Sequence, residues 1–152
     1  LHVRSRRQRQ MCIRDRQQFD FDSDIEESVD YQSWVDYIDN NHKLFVWFED
    51  TEDGKEVLSK IDSFPLKMQQ SLLSLLNRVR CFAKFNSKKG HYDLSAACSS
   101  ESKRVSISFE RKPTIEELRL FLDMANYLGA YLLFDRKKII DAEVIEELEK
   151  AL

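Results

Sequence analysis

Apolar residues in this chain either recur every three to four positions or alternate with polar ones, and each block of pattern predicts an element. Residues 33–40 (SWVDYIDN) place Trp34, Val35 and Ile38 at helical spacing, which predicts a short helix. The run LFVWF at 44–48 is continuously apolar, aromatic and β-branched, which predicts a central strand covered on both faces. After the turn EDTEDG, residues 55–61 predict a short helix and residues 63–83 a long one. Pro65 is tolerated in the first turn of that helix. Met68, Leu72, Leu75, Leu76, Val79, Phe82 and Ala83 then keep steps of three and four.

Strict alternation follows. Tyr92, Leu94, Ala96 and Cys98 fall on one side of a first segment, and Val105, Ile107 and Phe109 on one side of a second. Ser106 and Ser108 face the other way, and SSESK supplies the turn, so the pair predicts an antiparallel hairpin. Thr114 and Glu117, after Pro113, have the spacing of a capping box. The helix they open has an inner stripe of Ile115, Leu118, Leu122, Ala125 and Leu128, and Gly129 is its C-cap. Residues 130–134 predict another strand and 137–140 a short edge strand. Asp141 caps an acidic terminal helix whose Ile145, Leu148 and Leu152 are expected to face inward. The order β-α(α)-β-β-α-β-α predicts an α+β two-layer sandwich with the ferredoxin-like split βαβ (β-α-β-β-α-β). An extra short helix lies in the first crossover and a C-terminal helix is appended.

Composition changes the picture at the N-terminus. Residues 6–16, RRQRQMCIRDR, reverse-translate as CGT CGG CAG CGT CAG ATG TGT ATA AGA GAC AGR, the transposase-type adapter of sequencing libraries. Leu1 and His2 (CTA CAC) match the stretch just upstream, and residues 3–5 cover a sample index. Residues 1–16 are therefore expected to be translated read-through, to be excluded from fold reasoning. They hold six arginines and one aspartate, a net of +5 in a chain of net −3, which leaves −8 on the other 136 residues. Residues 17–40 read as an acidic lead-in and short helix, and residues 41–152 as one domain. A body of this length buries roughly two thirds of its unfolded surface, enough for a core without metal or disulfides.

The acidity argues against nonspecific attraction to a phosphate backbone, so nucleic acid is not the expected partner. Cys12 lies in the read-through, and Cys81 and Cys98 are isolated on apolar faces without CxxC spacing, which predicts neither zinc nor a disulfide framework. Free cysteines point to a reducing, cytoplasmic setting. No run reaches the length of a membrane-spanning helix.

Catalytic signatures are few. GxGxxG, P-loop, GxSxG and HExxH patterns do not occur. No catalytic residue, cofactor or metal is assigned. Glu49, Asp50, Glu52 and Asp53 end the first predicted strand, and Glu110 is the one distant carboxylate that could converge on them; a solvated turn is the expected reading. RNA-recognition motifs carry stacking aromatics on their middle strands, whereas the corresponding positions here are Ser106 and Ser108.

Two function classes follow. The first is a non-enzymatic module that binds another protein, a basic one, as immunity-type and antitoxin-type proteins do through acidic surfaces. Its contact residues are expected to be Asp50, Glu52, Asp53, Glu143, Glu146, Glu147 and Glu149. The second rests on a resemblance. KEVLSKIDSFPLKMQQSLLSLL as a helical pair, followed by HYDL and KRVSISFE as strands, resembles the element order of RelE/HigB-like bacterial toxins over residues 44–110. The resemblance implies cleavage of ribosome-bound mRNA by basic and aromatic side chains. His91 and Arg104 are the conceivable counterparts under that resemblance, and this reading would add the basic patch Arg78, Arg80, Lys84, Lys88 and Lys89, which with interleaved Phe82, Phe85 and Tyr92 lies at the end of the long predicted helix. The acidic terminal helix and the long helix opened by Thr114 depart from that family's pattern.

Overall fold

The computed structural model describes residues 10–15, 29–101, 104–134 and 138–152. The acidic lead-in up to residue 28 thus lies outside the described residues. Gln10–Asp15 forms β1, and helix α1 spans Tyr31–Asn40. Asp30 caps α1 by accepting a hydrogen bond from the Ser33 N–H at 3.0 Å. Trp34, Val35 and Ile38 face inward as the helical spacing predicts, and Tyr37 is buried beside them.

The apolar run at 44–48 yields only a two-residue strand, β2 (Val46–Trp47), followed by a 3-10 turn at Phe48–Asp50. Helices α2 (Glu52–Ser59) and α3 (Leu66–Leu75) follow, with a second 3-10 turn at Ile61–Ser63 between them. Strands β3 (Arg80–Asn86), β4 (His91–Ala97) and β5 (Val105–Phe109) then form a meander. Helix α4 (Ile115–Tyr127), strands β6 (Ala130–Phe134) and β7 (Lys138–Ile140), and helix α5 (Ala142–Lys150) complete the chain.

The fold is α+β, with a seven-stranded antiparallel sheet in the order β2-β3-β4-β5-β1-β6-β7. This corrects the four-stranded ferredoxin-like order. The predicted central strand β2 sits at one edge and pairs only with β3. One part of that expectation has a counterpart. Strands β5 and β6 are both antiparallel to β1, hence parallel to each other, are linked through α4, and hold β1 between them. That is a split βαβ arrangement whose middle strand comes from residues 10–15, within the segment read as adapter.

The long helix expected over residues 63–83 is a second correction. It stops at Leu75, and Arg78 takes a left-handed φ of 54° that no helix continues through. From Arg80 onward the period is two: Cys81 and Ala83 turn into the core while Arg80 and Phe82 face away. The motif RCFAKF satisfies either period, and pairing with β2 and β4 decides for the strand.

One face of the sheet carries the core. Trp34, Val35 and Ile38 of α1, Leu118, Phe121 and Met124 of α4, and Ile145 of α5 meet Cys81, Leu94, Ala96, Val105, Ile107 and Leu132 from the strands. Phe121 stacks edge-on against Phe109 at 5.6 Å between ring centres. The Thr114 capping box forms with both of its hydrogen bonds, and Gly129 follows α4 with a φ of 64°. Helices α2 and α3 add nothing to this core and project from the β2–β3 end of the sheet. Leu148 and Leu152, expected inside, are exposed: α5 buries only Ile145, and Leu152 lies beyond the helix end at Lys150.

Candidate functional surfaces

The acidic candidates separate into two groups. Asp50 lies in the 3-10 turn after β2, and Glu52 and Asp53 occupy the first turn of α2, where carboxylates favour the helix dipole. Thr51 caps α2 by accepting from the Gly54 N–H at 3.0 Å. Glu143, Glu146, Glu147 and Glu149 lie on α5, which follows the opposite edge strand. The two groups follow strands at opposite edges of the sheet.

The α5 group belongs to a wider acidic layer. Glu116, Asp123, Glu143, Glu146, Glu147 and Glu149 are exposed on α4 and α5, against Arg119 and Lys150. Arg119 is paired with Glu149, which removes both from the free charge of this surface. Leu148 is exposed among the carboxylates, and Leu152 just beyond the helix is 89% exposed.

The basic candidates also divide. Arg78 is built into the framework: its guanidinium donates to Asp39 at 3.2 Å and its backbone N–H to the Glu49 carboxylate at 3.1 Å. The Tyr31 hydroxyl donates to the Arg78 carbonyl at 2.9 Å, and Asp39 also accepts from the Trp47 indole at 2.9 Å. Arg78 therefore ties α1, β2 and β3 together. Arg80 is exposed on β3, on the sheet face away from the helices, and its Cα partner Ala97 pairs onward with Ser106. Arg104 immediately precedes β5. Lys84 takes a left-handed φ of 59° within β3, Lys88 and Lys89 lie in the β3–β4 turn, and His91 starts β4. The Asn86 carboxamide accepts from the N–H groups of both turn lysines, at 3.1 and 3.2 Å, which shapes the turn before Gly90.

Phe82, Phe85 and Tyr92, which the sequence interleaves with these cations, come together beside this hairpin and are joined by Phe48. Phe48, Phe82, Tyr92 and Phe85 form a continuous aromatic row, with ring centres 6.0, 5.5 and 5.0 Å apart in that order. None of the four belongs to the core, and Phe85 is 59% exposed. Ser106 and Ser108 are indeed the exposed positions of β5; the aromatics come from β3, β4 and the turn after β2 instead. Assigning residues up to 83 to a helix obscured the stacking order, which forms because residues 80–86 are a strand.

Sequence reading missed an ionic cluster at the base of α4. Arg111 donates to both Glu117 oxygens, at 2.7 and 2.9 Å, and to Asp93 at 2.9 Å. Glu117 is 2% exposed, and its Oε1 also accepts the Thr114 N–H at 2.9 Å. Burial raises the Glu117 pKa, but its bonds to Arg111 and Thr114 prevail and hold it below the usual value of 4.5. The bonds to Glu117 and Asp93 in turn push the Arg111 pKa upward. Each strong group here already has its partners, so the cluster is a strut that fastens α4 to β4.

Glu49 has the opposite environment. Burial pushes its carboxyl above the usual 4.5. Among the described residues Glu49 Oε1 is buried without a hydrogen-bond partner. Glu110 lies past the end of β5, with β3 and β4 standing between it and the turn that carries Glu49. The described residues contain no group of three or more His, Cys, Asp or Glu side chains placed to hold a metal ion. Cys81 and Cys98 are buried free thiols, and burial pushes the Cys81 thiol far above its usual value, which makes it a poor nucleophile. An open depression of about 290 Å³ lies between α2 and the turn before α3, lined by Asp53, Glu56, Val57, Lys60 and Phe64. Glu56 and Lys60 pair with each other there.

No helix among the described residues is long and apolar enough to cross a membrane. In comparisons with protein-family models, with curated proteins and with solved structures, the chain matches none.

Proposed function

We propose that the domain is a non-enzymatic protein-binding module of the immunity or antitoxin type, and that it receives a basic partner on α5. One observation carries the reading: Glu143, Glu146 and Glu147 are exposed on α5 around the exposed Leu148. Carboxylates in that arrangement steer a basic protein toward the surface, and an apolar side chain among them supplies contact area once water is displaced. Asp50, Glu52 and Asp53, beside the opposite edge strand, sit at the α2 N-terminus, where the helix dipole favours them, and form the second part of the acidic surface. A cytoplasmic setting goes with this reading, since buried free thiols suit a reducing compartment. Binding of the chain to a panel of immobilised basic nuclease domains, followed against salt, tests it. The expected result is salt-sensitive binding to a member of the panel that weakens about tenfold or more in Glu143→Lys/Glu147→Lys. Binding that ignores the charge reversal overturns the assignment to α5.

A second reading has its own support. The aromatic row beside Lys84, Lys88, Lys89 and His91 has the composition of a platform on which single-stranded RNA stacks. This favours the RNA-directed toxin alternative, with Arg78 left out because it is already bonded to Asp39 and Glu49. Tightly controlled expression of the chain in a bacterial host separates the two. Growth arrest relieved by Lys84→Ala/Lys88→Ala/Lys89→Ala selects the toxin, and normal growth with soluble protein selects the binding module.

A further inference from the structure

We propose that the space between β5 and β6 is a strand-acceptor site for an extended apolar peptide, and that Gln10–Asp15 is a replaceable occupant of it. The geometry is that of a slot. Strands β5 and β6 run parallel to each other, one strand's width of sheet apart, and their outer edges are already paired to β4 and β7. Their inner edges pair with β1 through four and five residues respectively. With the slot empty, both rows of backbone N–H and C=O groups would lose their partners inside the sheet, a costly arrangement that an incoming strand relieves.

What occupies the slot shows what the slot requires. Met11 and Ile13 join the core beside Val105, Ile107 and Leu132, while Cys12 is buried on the other side, opposite Ser106 and Leu133. These three are the one apolar run in RRQRQMCIRDR. On the reading of residues 1–16 as translated adapter, nothing in the order of residues of that segment was selected to fit this sheet. An arbitrary peptide has thus contributed its only apolar triplet, in the antiparallel direction, to an edge pair that supplies the hydrogen bonds. The site therefore reads backbone and apolar pattern, the chemistry of β-strand addition. Its matching ligand is an extended segment with β-branched side chains at the positions of Met11 and Ile13 and a small apolar one between them.

The test uses the full chain with a protease recognition sequence placed between Arg16 and Val29. After cleavage, the nicked protein is challenged with excess labelled peptide spanning residues 8–16 with Met11→Ile, and separately with the same peptide carrying Met11→Asp/Ile13→Asp. The expected result is incorporation of the first while the protein stays folded, with the aspartate peptide bound at least about tenfold more weakly. Release of the strand only on global unfolding, or equal binding of both peptides, overturns the proposal. Met11→Ile in the uncut chain is a second check. An unchanged or raised Tm fits an untailored occupant, and a clear fall shows a pocket built for Met11 and overturns it.

Discussion

Two carboxylates placed within the fold make opposite contributions to its acid behaviour. Glu117 titrates below its usual value, so its stabilisation is full above the unfolded pKa and lost as pH falls through the lower folded one. Glu49 titrates above its usual value, so its protonated form suits the fold; stability is greatest below the unfolded pKa and declines as pH rises through the folded one. Glu117→Gln is expected to cost about 1.5–3 kcal/mol at neutral pH, the worth of hydrogen bonds to a charged group, and much less near pH 3. Glu49→Gln keeps an acceptor for the Arg78 N–H and is expected to leave neutral-pH stability unchanged or raised. Urea midpoints of both variants at neutral and acid pH check the signs; a loss on Glu49→Gln at neutral pH would contradict the burial argument. At this scale the capping box was legible, because Thr114 and Glu117 sit at fixed local spacing. Glu117's second role was not, since Arg111 and Asp93 are joined to it by a strand pairing that no local spacing encodes.

Elements whose pattern admits one period were legible, and those admitting two were not. The α1 stripe and the alternation of β5 appear in the structure as read; of the α4 stripe Leu118 and Ala125 are buried, while Phe121 and Met124 take the places expected of Leu122 and Leu128. Residues 79–83 satisfy helical spacing and alternation alike, and only the partners on either side select the strand. The run at 44–48 looked central because every residue is apolar. Phe45 and Trp47 are buried in the core, whereas Phe48 joins the aromatic row and the strand remains at the edge. Just beyond it, α2 lies against the 3-10 turn so closely that a Cβ on Gly54 would stand 1.8 Å from the Phe48 carbonyl oxygen. The obstruction is backbone and cannot rotate away. Gly54→Ala is therefore expected to cost about 1–3 kcal/mol despite the better helix propensity of alanine, by chemical denaturation. An unchanged midpoint would mean that α2 is free to lift off the turn.

At the scale of the whole molecule, charge is sorted by face. Carboxylates dominate the exposed surface of α4 and α5, and cations with aromatics gather on the β3–β4 hairpin, an arrangement that a net charge of −3 conceals. Charge totals were legible in the sequence, but their distribution was not, because it depends on which side of the sheet each element occupies. Continuity of the sheet likewise depends on one short strand. Among the described residues β1 is the only strand that bonds β5 to β6, across more than ninety residues of chain on either side, so the β2–β5 meander and the β6–β7 hairpin share a sheet through it. Ile13 lies fully buried at the middle of that junction. Ile13→Ala removes apolar volume from the core and is expected to cost about 2–5 kcal/mol. The distribution of the loss is the sharper test. If β1 couples the two parts, amide hydrogen exchange should accelerate together in Val105–Phe109 and Ala130–Phe134, while the β3–β4 pairing, two strands away, stays the better protected. Acceleration confined to β6 and β7 would place the weak seam on one side of β1, and the β2–β5 meander would then hold β1 as its own fifth strand.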